Sequence, residues 1–146
     1  MIQRIQSILI ALASILMTVS AFYFNIWIED NTSKECNSTL NSFSFTSNCN
    51  INQNNVYLLA IQLVFSLLAI FSLVNFKKRK KQLLIGSINS IVGSLFLIIV
   101  FLITKDIQGK YVLGFYIPAF AILLNILANK FIKKDEKLVQ SLDRIR

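Results

Sequence analysis

Hydrophobic residues are concentrated in four long stretches of the chain, separated by polar segments. The stretches cover roughly residues 5–28, 56–76, 83–104 and 112–132. Their one charged side chain is Lys130, near the end of the last stretch. A bilayer core of roughly 30 Å is crossed by about 20 residues of α-helix. A buried helix of a soluble protein is seldom apolar on all sides over such a length. The pattern predicts an all-α integral membrane four-helix bundle, in a single domain over residues 1–146.

The connections between these stretches differ in length and polarity. Residues 29–55 form a long polar segment rich in Asn and Ser, which is predicted as an outer loop. Residues 77–81 are entirely basic, and the third connection is short. The fourth helix is expected to continue into a charged tail over residues 133–146, because no Gly or Pro separates the two.

The basic residues predict the orientation in the membrane. With both termini in the cytoplasm, twelve of the 15 Lys and Arg residues lie inside, most of them next to helix ends. Lys and Arg near the ends of spanning segments favour the cytoplasmic side. The net charge of +8 would suggest nucleic acid in a soluble protein. In a membrane protein, the placement of Lys and Arg on the cytoplasmic side explains this net charge better, and no nucleic-acid partner is expected.

The first helix has some features of a secretory signal. Arg4 precedes an apolar run, and the small residues Ser20 and Ala21 are typical of a cleavage site. The apolar run nevertheless continues to Ile28, which gives it full spanning length. We therefore expect an uncleaved membrane helix.

Both cysteines, Cys36 and Cys49, lie in the predicted outer loop. Disulfides persist outside the cytosol, so these two are expected to form one. The bridge would close a loop of about 14 residues and stabilise the fold by roughly 3 kcal/mol. Two unpaired thiols remain the alternative, and a zinc site is less consistent with the absence of His.

The sequence offers little for catalysis. It contains no His, the commonest general base at neutral pH and the commonest metal ligand. A proton relay or an ion-coupled pump would usually carry charged residues within its helices. The four predicted helices contain only Lys130, close to the end of the last one. We therefore expect a protein that is not an enzyme, with no catalytic residues, no cofactor and no bound metal.

Uncharged polar residues within the helices allow two interpretations. Gln62, Asn89 and Asn125 either form hydrogen bonds between helices or line a path for a polar solute. Asn89 and Asn125 fall at a similar depth on helices expected to be antiparallel neighbours. This similarity predicts that the two side chains face the bundle interior and hydrogen-bond to each other, directly or through one water.

Small residues repeat every four positions on the third helix, at Gly86, Ser90 and Ser94. This spacing lets two helix backbones approach closely. It is equally consistent with packing inside one bundle and with the seam of a homo-oligomer.

Two cytoplasmic features are candidate contact surfaces. The first, here called the basic cluster, comprises Lys77, Lys78, Arg79, Lys80 and Lys81. It is expected to face the anionic lipids of the inner leaflet. The second, here called the tail stripe, comprises Phe131, Leu138, Leu142 and Ile145, which share one face of the predicted tail helix. An apolar stripe on a basic helix either lies on the membrane surface or docks into a partner protein.

Both ends of the chain carry a family resemblance. The opening MIQRIQSILIALASIL and the closing LANKFIKKDEKLVQSLDRIR resemble the ends of a bacterial membrane family known as domain of unknown function 4293. The resemblance implies four helices, a charged tail and a bacterial inner-membrane location. It implies no activity. The expected function is a non-enzymatic accessory or scaffold subunit, and the alternative is a small channel or transporter for an uncharged or polar solute.

Overall fold

The computed structural model describes residues 2–29, 39–47, 50–76, 78–105 and 109–143. These residues form the long helices α1 (Ile2–Tyr23), α2 (Val56–Val74), α3 (Arg79–Thr104) and α4 (Leu113–Asp143). All four are long and apolar enough to cross a membrane. The predicted all-α architecture, with four helices of membrane-spanning length and apolar character, is confirmed.

The helices form a closed ring in which α1 packs on α2, α2 on α3, α3 on α4, and α4 on α1. The outward faces carry large exposed apolar side chains, such as those of Ile8, Leu67, Phe101 and Leu123. Continuous apolar surface of this kind is rare on soluble proteins and suits contact with lipid.

A small antiparallel sheet lies across one end of the bundle. Its strands are β1 (Trp27–Glu29), β2 (Thr39–Leu40), β3 (Ser44–Ser47), β4 (Asn50–Asn54) and β5 (Gly109–Tyr111). Their order is β4-β3-β2-β1-β5, so the sheet joins the first and third connections. We call this the sheet end of the bundle. The opposite end, with the α2–α3 turn and the chain termini, is called the turn end.

The first helix ends at Tyr23 rather than at the predicted residue 28. The apolar residues Ile26 and Trp27 follow it in an extended segment and are almost completely buried. The backbone N–H of Ile26 donates to the carbonyl of Leu40 at 2.7 Å, and that of Val112 donates to the carbonyl of Ile26 at 3.1 Å. The apolar run continues past the helix because these side chains enter the protein core beneath the sheet.

The other helix bounds also differ from the sequence expectation. Helix α2 ends at Val74, two residues early, and α3 begins at Arg79, inside the basic run that was predicted as a loop. Helix α4 continues through Pro118 and on to Asp143. The membrane span and the charged segment after it are therefore one helix.

Helix α4 starts in close contact with the chain that leaves α1. The N–H of Gly114 donates to the carbonyl of Asn25 at 3.0 Å. A Cβ atom at this position would collide with the Asn25 backbone. Glycine permits this approach, which fixes the start of α4 against the segment between α1 and β1.

Candidate functional site

The buried side chain of Gln62 joins three parts of the chain near the sheet end. Its Oε1 accepts a hydrogen bond from Ser42 Oγ at 2.6 Å. Its Nε2 donates to Ser20 Oγ at 3.2 Å, and Ser20 Oγ in turn donates to the carbonyl of Met17 at 2.8 Å. Because both ends of the amide are used, Gln62 ties α2 to α1 and to the β2–β3 turn.

An apolar layer lies between this network and the turn end. Phe65 and Phe96 are fully buried, as is Met17 on α1. Phe65 and Ile122 both pack against Gly93, so that α2, α3 and α4 meet there without a gap. The layer separates the polar groups of the two ends.

Asn125 is bonded to α3, but not to Asn89. Its Nδ2 donates to the carbonyl of Gly86 at 3.0 Å and to Ser90 Oγ at 2.9 Å. The predicted direct pairing of Asn89 with Asn125 is therefore wrong. Both asparagines are buried, but the hydrogen bond from Asn125 is accepted by Ser90, the residue after Asn89 on α3.

Asn89 is fully buried, and neither of its polar side-chain atoms has a hydrogen-bond partner among the described residues. The other three helices contribute similar atoms in the half of the bundle near the turn end. These atoms are Gln6 Nε2 on α1, Ser72 Oγ on α2 and Asn129 Oδ1 on α4. Leaving a buried polar atom unpaired costs about 1–3 kcal/mol. This half of the bundle therefore holds unused hydrogen-bonding capacity.

The small-residue repeat on α3 packs partly inside the bundle. Gly86 is buried, and a Cβ atom there would collide with the side chain of Asn129 on α4. Ser90 is half-buried and bonded to Asn125, whereas Ser94 is exposed. Gly86 and Ser90 thus serve the α3–α4 contact within one chain.

The basic cluster lies at the turn end, where its described members differ in burial. Lys78, Lys80 and Lys81 are exposed, and Lys77 lies outside the described residues. Arg79 is less exposed, and its Nη1 lies 3.2 Å from Asp135 Oδ2 on α4. This ion pair joins the start of α3 to the part of α4 beyond the predicted span.

The described members of the tail stripe face a small apolar cavity. Phe131 and Leu138 line it together with Ile5 of α1, Lys134 and Asp135, and its volume is about 130 Å³. The side chain of Leu142 and the whole of Ile145 lie outside the described part of the structure. A wider groove of about 560 Å³ runs along α4 beside the cavity. Its lining consists of Leu127, Phe131 and four lysines, Lys130, Lys133, Lys134 and Lys137.

The family model described as Domain of unknown function (DUF4293) matches residues 2–145, almost the whole chain. This protein belongs to that family. Neither the curated proteins nor the solved structures give a match. The DUF4293 description assigns no activity.

The remaining site expectations concern the cysteines and metals. Cys36 and Cys49 lie outside the described residues, so their pairing stays a prediction. Within the described ranges, no group of three or more Cys, Asp or Glu side chains is placed to hold a metal ion.

Several residues of these contacts were missed by sequence reasoning. Gln6 could have been found, since it shares one helical face with Ile10, Ala13 and Met17, at steps of three and four residues. Ser42 could not, because nothing in the loop sequence indicates that its hydroxyl reaches a helix. Asp135 is one of several charged tail residues, and only the helix packing distinguishes it.

Proposed function

We propose that this protein is a non-enzymatic accessory or scaffold subunit of the bacterial inner membrane, with both termini in the cytoplasm. The observation that carries the proposal is the extension of α4 beyond its span, with Phe131 and Leu138 beside Ile5 at a cavity. An amphipathic helix with an apolar face suits docking into a groove of another protein.

The lysine-lined groove supports a role for lipid in the same region. Four lysines border it, while Leu127 and Phe131 provide apolar surface. Basic residues near an anionic leaflet contribute about 1 kcal/mol each to its attraction. Anionic lipid would then hold the turn end at the cytoplasmic surface and orient α4 towards a partner.

The test is capture of a partner by a photoreactive amino acid in α4. Leu138 and Val139 are adjacent and both exposed, but they point in different directions. We expect a probe at position 138 to crosslink one membrane protein reproducibly, and a probe at 139 to do so much less. Leu138→Asp should abolish co-purification of that protein in mild detergent, and Val139→Asp should not. Capture of the same protein set at both positions would contradict a docking face.

A second candidate is a small channel or transporter for an uncharged polar solute. It is favoured by buried polar atoms in the turn half of the bundle that have no hydrogen-bond partner among the described residues, on Asn89, Gln6, Ser72 and Asn129. The apolar layer at Phe65 and Phe96 argues against an open path in this conformation, since it separates these atoms from Gln62.

Liposome flux distinguishes the two candidates. A transporter should raise the flux of a solute such as glycerol in proportion to the protein reconstituted. Asn89→Leu should abolish that flux, while Ser87→Leu on the exposed side of α3 should leave it unchanged. If the protein is an accessory subunit, the natural protein and both variants should all give the same flux as liposomes without protein.

A further inference from the structure

We propose that a cavity at the turn end, lined by Gln6, Ser7, Phe76, Arg79 and Gln82, binds a phosphate group from the headgroup of an acidic phospholipid. This goes beyond the proposed function, in which lipid acts through general attraction to surface lysines and needs no defined binding site. The cavity lies where α1, the α2–α3 turn and the first turn of α3 meet. Its volume of about 30 Å³ gives room for about two oxygen-sized groups, so it takes phosphate oxygens rather than a whole headgroup.

Gln6 provides the first reason for an anionic ligand. Its side chain is only 5% exposed, and its Nε2 has no hydrogen-bond partner among the described residues. An amide nitrogen is a donor only, so the group that completes it must be an acceptor. Gln82, which lines the same cavity, is 3% exposed and adds a second buried amide.

Arg79 provides the second reason. Its Nη1 lies 3.2 Å from Asp135 but forms no hydrogen bond within the described structure. The ion pair therefore positions the guanidinium without using its donors fully. Arginine has five N–H donors in a planar fork, and this arrangement matches phosphate oxygens.

The location supplies the third reason. The apolar part of α2 ends at Val74 and that of α3 starts after Gln82, so the cavity lies at the level of the lipid headgroups. Lys78, Lys80 and Lys81, which flank Arg79 in the sequence, are exposed and add positive charge at this end of the bundle. Basic pockets between spanning helices at this depth are suited to acidic headgroups.

The test measures binding to the full-length protein, purified and delipidated in a non-ionic detergent. The probes are dioleoylphosphatidylglycerol, dioleoylphosphatidylcholine and inorganic phosphate, and native mass spectrometry gives the stoichiometry and Kd. We expect one phosphatidylglycerol per chain, bound more tightly than phosphatidylcholine. Losing one charge-assisted or buried hydrogen bond should weaken this binding about tenfold.

Two variants and two matched controls distinguish lipid binding in the cavity from lipid attraction by the general surface charge. Gln6→Leu changes no charge and should raise the Kd about tenfold, whereas Ser87→Leu on the exposed side of α3 should not change it. Arg79→Gln should weaken binding by about tenfold more than Lys80→Gln, which removes the same charge from the same turn. Equal losses for Arg79→Gln and Lys80→Gln, with none for Gln6→Leu, would overturn the proposal.

The remaining outcomes are also decisive. Inorganic phosphate binding with the same dependence on Gln6, in the absence of lipid binding, would overturn the lipid as the source. A thermal melt of lipid-free Gln6→Leu should not fall below that of the natural protein, because the change removes an unpaired buried donor. This variant keeps the test valid even if Arg79→Gln does not fold. Failure here leaves the partner proposal intact, since both variants retain Leu138.

Discussion

Asn89 and Asn125 show how differently two similar side chains can be used inside one bundle. Asn125 donates two hydrogen bonds to α3, to Gly86 and to Ser90. Asn89 is equally buried, yet its amide has no partner among the described residues. The two asparagines should therefore respond oppositely to substitution.

Asn125→Leu should lower the free energy of unfolding by about 1–3 kcal/mol, because two interhelical hydrogen bonds are lost. Asn89→Leu should leave it within about 0.5 kcal/mol or raise it, since the change removes buried polar atoms that are unpaired. Reversible unfolding in mixed micelles, followed by circular dichroism, measures both. A larger loss for Asn89→Leu than for Asn125→Leu would contradict the observed bonding.

Gly114→Ala tests the close approach at the start of α4. Helix propensity alone would make this change stabilising by about 1 kcal/mol. We expect instead a loss of about 1–3 kcal/mol, because the new Cβ collides with the Asn25 backbone. Ser94→Ala, on an exposed part of α3, is the control and should change stability little. A more stable Gly114→Ala variant would show that the Asn25 segment moves aside easily.

The sequence predicts the burial of these side chains better than it predicts their hydrogen-bond partners. Along α3, Gln82, Gly86, Asn89, Gly93 and Phe96 follow each other at steps of three and four residues, which marks an inward face. The partner of Asn125 depends on the axial offset of α3 against α4, where about 1.5 Å separates successive residues. The sequence does not specify that offset, so Ser90 could not be distinguished from Asn89.

Among the elements, the helices follow from the sequence and the sheet does not. The spans are long apolar runs with a single charged residue, Lys130, near the end of the last one, and few structures other than membrane helices accommodate such runs. The strands are two to five residues long, and β3 and β4 consist largely of Ser and Asn, which do not favour strands. At the other edge of the sheet β1 pairs with β5, which comes from a different connection, and such long-range contacts leave no local signal in the sequence.

The predicted disulfide can be tested chemically. Cys36 and Cys49 both belong to the connection between α1 and α2 and lie outside the described residues. We expect alkylation before reduction to modify neither cysteine in protein purified under oxidising conditions. Cys36→Ser should expose one thiol and cost roughly 3 kcal/mol. Two alkylated thiols without reductant would contradict the pairing.

For the whole molecule, the main question is which end faces the cytoplasm. The basic cluster and the lysines of α4 lie together at the turn end, while the sheet and the cysteine-containing connection lie at the other. This clustering of basic residues at one end supports the proposal that the turn end faces the cytoplasm.

Single cysteines introduced in a Cys36→Ser, Cys49→Ser background test this orientation. An impermeant maleimide added to intact cells should label the exposed positions 43 and 110 near the sheet. Positions 80 and 137 should react only after the membrane is opened. Leu40 is fully buried and would be a poor reporter despite its place in the outer connection. Labelling of position 80 on intact cells would reverse the proposed topology.

The unbroken helix α4 also fixes how far its C-terminal end stands from the membrane. Past residue 132 it continues as helix to Asp143, which corresponds to about 16 Å of rigid rod at 1.5 Å per residue. A flexible tether of the same number of residues could place its end at many heights above the membrane. The helix is held against α3 by the Arg79–Asp135 ion pair, so its end lies at one fixed height. A partner that docks on this helix must therefore present its binding surface within about 16 Å of the headgroups. Such a partner is itself a membrane protein or one held flat against the bilayer.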